Sequence, residues 1–242
     1  MSWAVETWSL TREFKGRRLV DAVDLKVPYG QVFGIWGAAG AGKSTLLKML
    51  LGILPPSSGG GLCLGLDITG DSLTIREKVG FVPHPSSLYG FMRVYQLIDF
   101  YRSFYRQWDL SLTRRLLRLF DIPWKGKVGK LTPHQKKQLS LLLALSPGPE
   151  LLIVDEPFET SSKERGDNLL FSAVIHEYKT AGHTVLLASR CREELAALAD
   201  RVLTMEEGKL LDPRVIMKGN LRLISSSPRR RSGEKDGSSG SI

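Results

Sequence analysis

Two stretches of this chain carry residue types suited to holding and cleaving a polyphosphate. The first is Gly37-Ala38-Ala39-Gly40-Ala41-Gly42-Lys43-Ser44-Thr45, which follows the apolar run Val32-Phe33-Gly34-Ile35-Trp36. That order predicts a buried strand, a glycine turn and a helix opening at Lys43, the context a phosphate-binding loop requires. Glycines let backbone N–H groups point at phosphate oxygens, and the helix N-terminus adds partial positive charge. Lys43 is expected to reach the β- and γ-phosphates, and the Ser44 hydroxyl to hold Mg²⁺. The second stretch, Leu151-Leu152-Ile153-Val154-Asp155-Glu156-Pro157, reads as an apolar strand ending in two carboxylates. Asp155 is expected beside the phosphate loop, binding Mg²⁺ through water, and Glu156 is placed to orient or deprotonate an attacking water. The pair predicts a binder of a magnesium nucleoside triphosphate.

The elements that must position these residues can be traced along the chain. Residues 3–36 alternate apolar and polar in short runs, split by Lys15-Gly16-Arg17 and Pro28-Tyr29-Gly30, which predicts strands joined by turns. Thr45 to Leu54 reads as a helix stopped by Pro55-Pro56 and a Ser/Gly cluster. Val79–Val82 is a short strand. Helices are predicted over Val94 to Tyr105, over Ser111 to Phe120 and from about Pro133 to Leu145. Thr132 with Gln135 offers a capping box for the last, with Pro133 at its first position. Strands return at Leu151–Val154, Thr184–Ala188, Val202–Met205 and Lys209–Leu211, with a helix between the first two. A helical block over about 84–148 therefore interrupts an α/β core.

The composition suits a soluble globular protein: 242 residues, 42% hydrophobic, with no apolar run near the ~20 residues a bilayer demands. The start of the chain has no signal-peptide pattern. Cys63 and Cys191 lack metal-ligand spacing and read as a buried and a surface thiol in a reducing compartment. The net charge of +9 permits contact with nucleic acid or acidic lipid without requiring either. Part of it lies in residues 225–242, which have the composition of a disordered basic and polar tail, either simply solvated or docked on anionic headgroups.

Over about residues 5–212 the chain resembles the ATP-binding subunits of ABC transporters. The resemblance rests on Phe14 before the phosphate loop, the loop itself, the helical insertion and Val154-Asp155-Glu156-Pro157. Ala199-Asp200-Arg201-Val202 followed by Glu207-Gly208-Lys209 adds to it. Phe104-Tyr105-Arg106-Gln107-Trp108-Asp109 is similar to bacterial single-domain subunits of small exporters. The resemblance implies a P-loop NTPase core, a mixed sheet flanked by helices, with an antiparallel β subdomain and an inserted α-helical subdomain. Residues 1–224 would form the ATP-binding domain and 225–242 the tail. ATP and Mg²⁺ are the implied ligands. A second ATP-binding subunit, identical or not, and an integral membrane permease are the implied partners. The permease would contact the region near 84–105, placing the chain at the cytoplasmic face of the membrane. Phe14 would stack on adenine, unless it is a plain sheet-core aromatic.

Several family positions are altered. In place of the Leu-Ser-Gly-Gly-Gln signature, which completes the partner's site in a head-to-tail dimer, stands Leu131-Thr132-Pro133-His134-Gln135. Thr132 keeps a hydroxyl for the partner's γ-phosphate and Gln135 is retained. Pro133 removes a backbone donor, and His134 adds a side chain where glycine allowed close approach. His84 replaces the usual Gln, and Phe158-Glu159-Thr160-Ser161-Ser162 lacks the usual aspartate. Arg190 aligns with the switch histidine and is expected near the γ-phosphate, as a transition-state contact or a ground-state one. These departures predict slow hydrolysis, and they leave open a regulatory pseudo-ATPase. A soluble ABC protein acting on ribosomes or nucleic acid is a third class, although no specific nucleic acid is expected. His176 and His183 fit no ligand set and read as solvated.

Overall fold

The computed structural model describes residues 2–157 and 165–211. The segment Phe158-Glu159-Thr160-Ser161-Ser162 and the tail at 225–242 lie outside them. The alternating pattern at the start of the chain forms a hairpin of β1 (Trp3–Phe14) and β2 (Arg17–Pro28), in register from Trp3 opposite Pro28 to Phe14 opposite Arg17. Along β2, Val20, Val23, Leu25 and Val27 turn inward while Lys26 and Asp24 face out. The hairpin is extended by β4 (Ser58–Cys63) and β5 (Leu66–Asp67), giving an antiparallel sheet in the order β2-β1-β4-β5.

β4 corrects the reading of Ser57 to Gly61 as a helix-ending loop. Its glycines are there because a neighbour lies across them: a Cβ on Gly60 would stand 2.9 Å from the Trp8 indole, and one on Gly61 2.9 Å from the Thr7 methyl. A strand that receives an aromatic ring from its partner needs glycine beneath that ring. The preceding helix, α1 (Lys43–Leu50), is also shorter than expected. Gly52 N and Ile53 N donate back to Met49 O and Lys48 O, a Schellman closure that ends it before the two prolines.

The second sheet runs β10-β9-β3-β8-β7-β6. Its strands are β3 (Val32–Trp36), β6 (Val79–Val82), β7 (Leu151–Asp155), β8 (Thr184–Ser189), β9 (Arg201–Glu206) and the edge strand β10 (Lys209–Leu211). All neighbours are parallel except β9 and β10. Both faces of the parallel strands are covered, so β7 and β8 are buried at every position and read as unbroken apolar runs. Leu151 and Ile153 face a core shared with α1 and the first sheet. Leu152 and Val154 face a second core, shared with the helical insertion and with α6 (Arg165–Thr180).

The insertion contains α3 (Val94–Arg102), α4 (Leu110–Leu119) and α5 (Pro133–Leu145). Asp109 caps α4 through Leu112 N at 2.8 Å. The capping box of α5 is present in both halves: Gln135 N donates to Thr132 Oγ1 at 3.1 Å, and Thr132 N donates to Gln135 Oε1 at 3.2 Å. From Lys137 to Leu145 every residue of α5 is buried, because the helix lies between β6 and α4. The sequence reading missed α2 (Ser72–Lys78) and α7 (Arg192–Leu198), which are two turns each and too short for a periodic signal. Among the described residues no helix is long and apolar enough to cross a membrane.

Candidate functional site

The parallel strands β3, β8 and β7 deliver three chain segments to the same edge of the sheet, and the site is made there. β3 leads into the loop from Gly37 to Gly42, anchored by Gly37 N donating to Ser189 O at 3.2 Å. Gly42 precedes α1 with φ of 105°, and a Cβ there would overlap the Leu19 carbonyl. The N-cap of α1 is Gly42, which has no side chain to cap the helix, so among the described residues its first amides are left for a ligand. Gly42→Ala is expected to destabilise the protein by about 2 kcal/mol through strain and overlap together. Urea unfolding of the two chains would measure this, with Gly40→Ala, whose Cβ meets nothing within 4 Å, as the milder comparison.

Lys43 is 4% exposed. Its ammonium donates to Gly37 O at 2.7 Å and Ala38 O at 3.1 Å, and stands 3.2 Å from Glu156 Oε1. The lysine is thus folded over its own loop and neutralised by the carboxylate that ends the neighbouring segment. Glu156 itself sits just past β7 with φ of 48°, its N–H bonded to Ala188 O at 2.7 Å. Arg190, the residue after β8, donates its backbone N–H to Glu156 Oε2 at 3.0 Å and brings its Nε to 3.4 Å from Oε1. From the other side, Lys137 of α5 donates to the Glu156 carbonyl at 2.5 Å, tying the helical insertion to the site.

Asp155 is 1% exposed, and its Oδ1 has no hydrogen-bond partner among the described residues. Burial pushes its carboxyl above the usual carboxylate range. The Ser44 hydroxyl bonded to it works in the opposite direction, the Glu156 charge adds to the rise, and His84 and Lys43 oppose it. A buried carboxylate with one open oxygen, next to a hydroxyl on the first turn of a helix, is a donor set suited to a hard divalent cation. Ser44 and Asp155 therefore fit Mg²⁺.

Lys43, Ser44, Glu156 and Arg190 line a cavity of about 380 Å³. Its wall includes Ala39, Gly40, Ala41, Gly42, Lys43, Ser44 and Thr45 of the loop and helix, with Glu156, Arg190 and His84 opposite. Gly37 and Ala38 lie beneath, contributing the carbonyls that hold Lys43. Phe14 is 54% exposed at the end of β1 with Lys15 Nζ 5.5 Å from its ring centre, so it is not a sheet-core aromatic. Phe14 is not part of the wall, but its register partner Arg17 is. Thr132 and Gln135 open α5 away from this cavity, and Gln135 Nε2 donates to Asp121 O at 3.2 Å.

Sequence reasoning missed Arg17, Leu19 and Lys137. Arg17 and Leu19 enter because the start of β2 lies along the phosphate loop, and Lys137 because α5 packs beneath Glu156. No local pattern announces either contact. His183 corrects the solvated reading, since it stacks on Tyr178 with ring centres 4.3 Å apart; His176 is exposed. Cys63 is fully buried and Cys191 half-buried.

The ABC transporter family matches residues 20–159 of the chain. The chain is 30% identical over 230 residues to the daunorubicin/doxorubicin resistance ATP-binding protein DrrA of Streptomyces peucetius, covering 93% of this chain and 67% of DrrA. It is 26% identical over 206 residues to the ABC transporter ATP-binding protein YtrB of Bacillus subtilis, covering 85% of this chain and 70% of YtrB. Across the similar curated proteins the chain spans from 36% to 70% of their lengths. In fold it is similar to the dimeric ATP-binding cassette MJ0796 bound to ADP and Pi, with a TM-score of 0.77 at 18% identity, covering 88% of this chain and 98% of that one. The matched residues 20–159 span both the phosphate loop and the carboxylates at 155 and 156: this chain belongs to the ABC transporter family.

Proposed function

We propose that the chain is the energy-coupling, ATP-binding subunit of a membrane ABC transporter, an exporter, working at the cytoplasmic face of the membrane. The observation that carries this reading is the convergence of Lys43, Ser44 and Glu156 on one cavity at the start of α1, with the buried Asp155 hydrogen-bonded to Ser44. On binding ATP, Lys43 turns from Glu156 to the β- and γ-phosphate oxygens, and the loop amides take the remaining charge. Ser44 and Asp155 hold Mg²⁺, which when bound offsets the phosphate charge. Phe14, whose register partner Arg17 lines the cavity, meets the adenine. Glu156 then orients the attacking water.

Nucleotide-driven dimerisation supplies the partner's Thr132 and Gln135 across each site. Hydrolysis there is slow, because Thr132 is followed by a proline without an N–H. The permease partner docks near 84–105. A second cavity of about 180 Å³, bordered by Phe81, Pro83, Leu88, Tyr101 and Tyr105, supports that placement, as do Phe91 and Phe104 at 75% and 66% exposure. Likeness to the Nod factor export ATP-binding protein I of Rhizobium meliloti, at 28% identity, supports the export direction.

Asp155→Asn separates this reading from a purely structural one, because stability and function move in opposite directions. Removing a buried charge with an open oxygen is expected to stabilise the nucleotide-free protein by about 1 kcal/mol. The same change removes the part of ATP affinity that depends on Mg²⁺. Thermal unfolding without nucleotide and titration with ATP, each with and without Mg²⁺, measure the two effects. An Asp155→Asn variant that keeps the full magnesium increment would overturn the assignment.

A further inference from the structure

We propose that Arg190 is a positioning residue that latches Glu156 and holds down hydrolysis in the chain as it stands. The inference rests on the ATP-binding reading above and assigns a regulation to that site. In the structure both Glu156 oxygens are engaged: Oε1 by Lys43 at 3.2 Å and Arg190 Nε at 3.4 Å, and Oε2 by Arg190 N at 3.0 Å.

The two cations are not equivalent. Lys43 must leave Glu156 to reach phosphate, so ATP itself removes that contact. Arg190 is under no such demand. Its guanidinium stays charged, and its backbone is fixed independently, since the Trp36 indole donates to Arg190 O at 3.1 Å and Cys191 N donates to Ser189 Oγ at 3.0 Å. After ATP binding Glu156 therefore keeps the Arg190 N–H on Oε2 and the Arg190 guanidinium beside Oε1, and is held toward β8 rather than aimed at a water.

The latch is also built to open. The Arg190 side chain is 47% exposed while that of Glu156 is 9% exposed, so the guanidinium can swing into solvent and free Oε1 while the backbone N–H stays on Oε2. This role differs from a contact to the γ-phosphate in the transition state, which would make Arg190 an accelerator. The geometry points to a brake.

Two measurements on the full chain test the proposal. The first is a double-mutant cycle of Arg190→Ala and Glu156→Gln, read by urea unfolding without nucleotide. A coupling of at least about threefold in the unfolding equilibrium constant is expected for charges this close, and additivity would overturn the latch whatever the chain does with ATP. The second compares ATP affinity and turnover in the unmodified chain, Arg190→Ala and Arg190→Lys. Turnover is expected to rise by at least about threefold in Arg190→Ala at unchanged ATP affinity, and to stay low in Arg190→Lys, which keeps the charge. A fall in turnover in Arg190→Ala would identify a transition-state contact and overturn the brake. Failure of the unmodified chain to bind ATP would instead overturn the proposed function, and the coupling in the first measurement would stand on its own.

Discussion

Lys43→Met is expected to lower the unfolding free energy of the nucleotide-free protein by about 3 kcal/mol, and Glu156→Gln in the same chain to recover a large part of it. Both side chains of the pair are nearly inaccessible, 4% and 9% exposed. Deleting one partner leaves a carboxylate in a poorly solvated place, offset chiefly by the half-exposed Arg190. It also strips the Gly37 carbonyl of its lysine donor and leaves Ala38 O with Ala41 N alone. The effect is therefore at the lower end of the range for broken buried pairs, since one cation remains. The double variant removes the stranded charge and keeps the shape. Chemical unfolding of the four chains measures the pair directly. Equal stabilities would mean that the lysine is solvated and the site is not the closed arrangement described.

A second large effect is expected from repairing the altered positions. Thr132→Ser, Pro133→Gly, His134→Gly and Arg190→His together should raise the ATPase rate of the purified chain by at least about tenfold, since one missing transition-state donor costs roughly 10²–10³. The repair also has a structural cost. Pro133 sits at the first position of α5 and Thr132 closes its capping box, so the glycines weaken a helix start that the present residues favour. The serine introduced by Thr132→Ser keeps the cap, and the helix is expected to survive because its buried face from Lys137 to Leu145 is untouched. Thermal unfolding of the repaired chain accompanies the rate measurement. If the unmodified chain already turns over on the order of 10 s⁻¹ and Glu156→Gln abolishes it, Arg190 and the proline-containing segment are working substitutes and slow hydrolysis is wrong.

Much of this site was legible in the sequence because its parts are local. The phosphate loop needs an apolar strand before it and a helix after it, and Val32 to Thr45 supplies both in order. The start of α5 was legible for the same reason: Thr132, Pro133 and Gln135 each favour a helix start at that point. What could not be read depends on strand order. Glu156 and Arg190 lie far apart in the chain and meet because β7 pairs with β8, placing Asp155 opposite Ala188. Their ion pair follows from that register. The same holds for Arg17, brought to the cavity by β2, and for Lys137, brought by α5. β4 was lost to its glycines, which look like a turn until Trp8 is placed over them.

The central claim is that the chain binds magnesium ATP through the loop at Lys43 and the Ser44–Asp155 pair. Calorimetric titration of the unmodified chain with ATP tests it most directly, run once with Mg²⁺ and once with a chelator. Saturable binding in both runs is expected, tighter with Mg²⁺ by at least about tenfold, the worth of a single charge-assisted contact or more. Binding that is absent, or that is indifferent to Mg²⁺, would contradict the account.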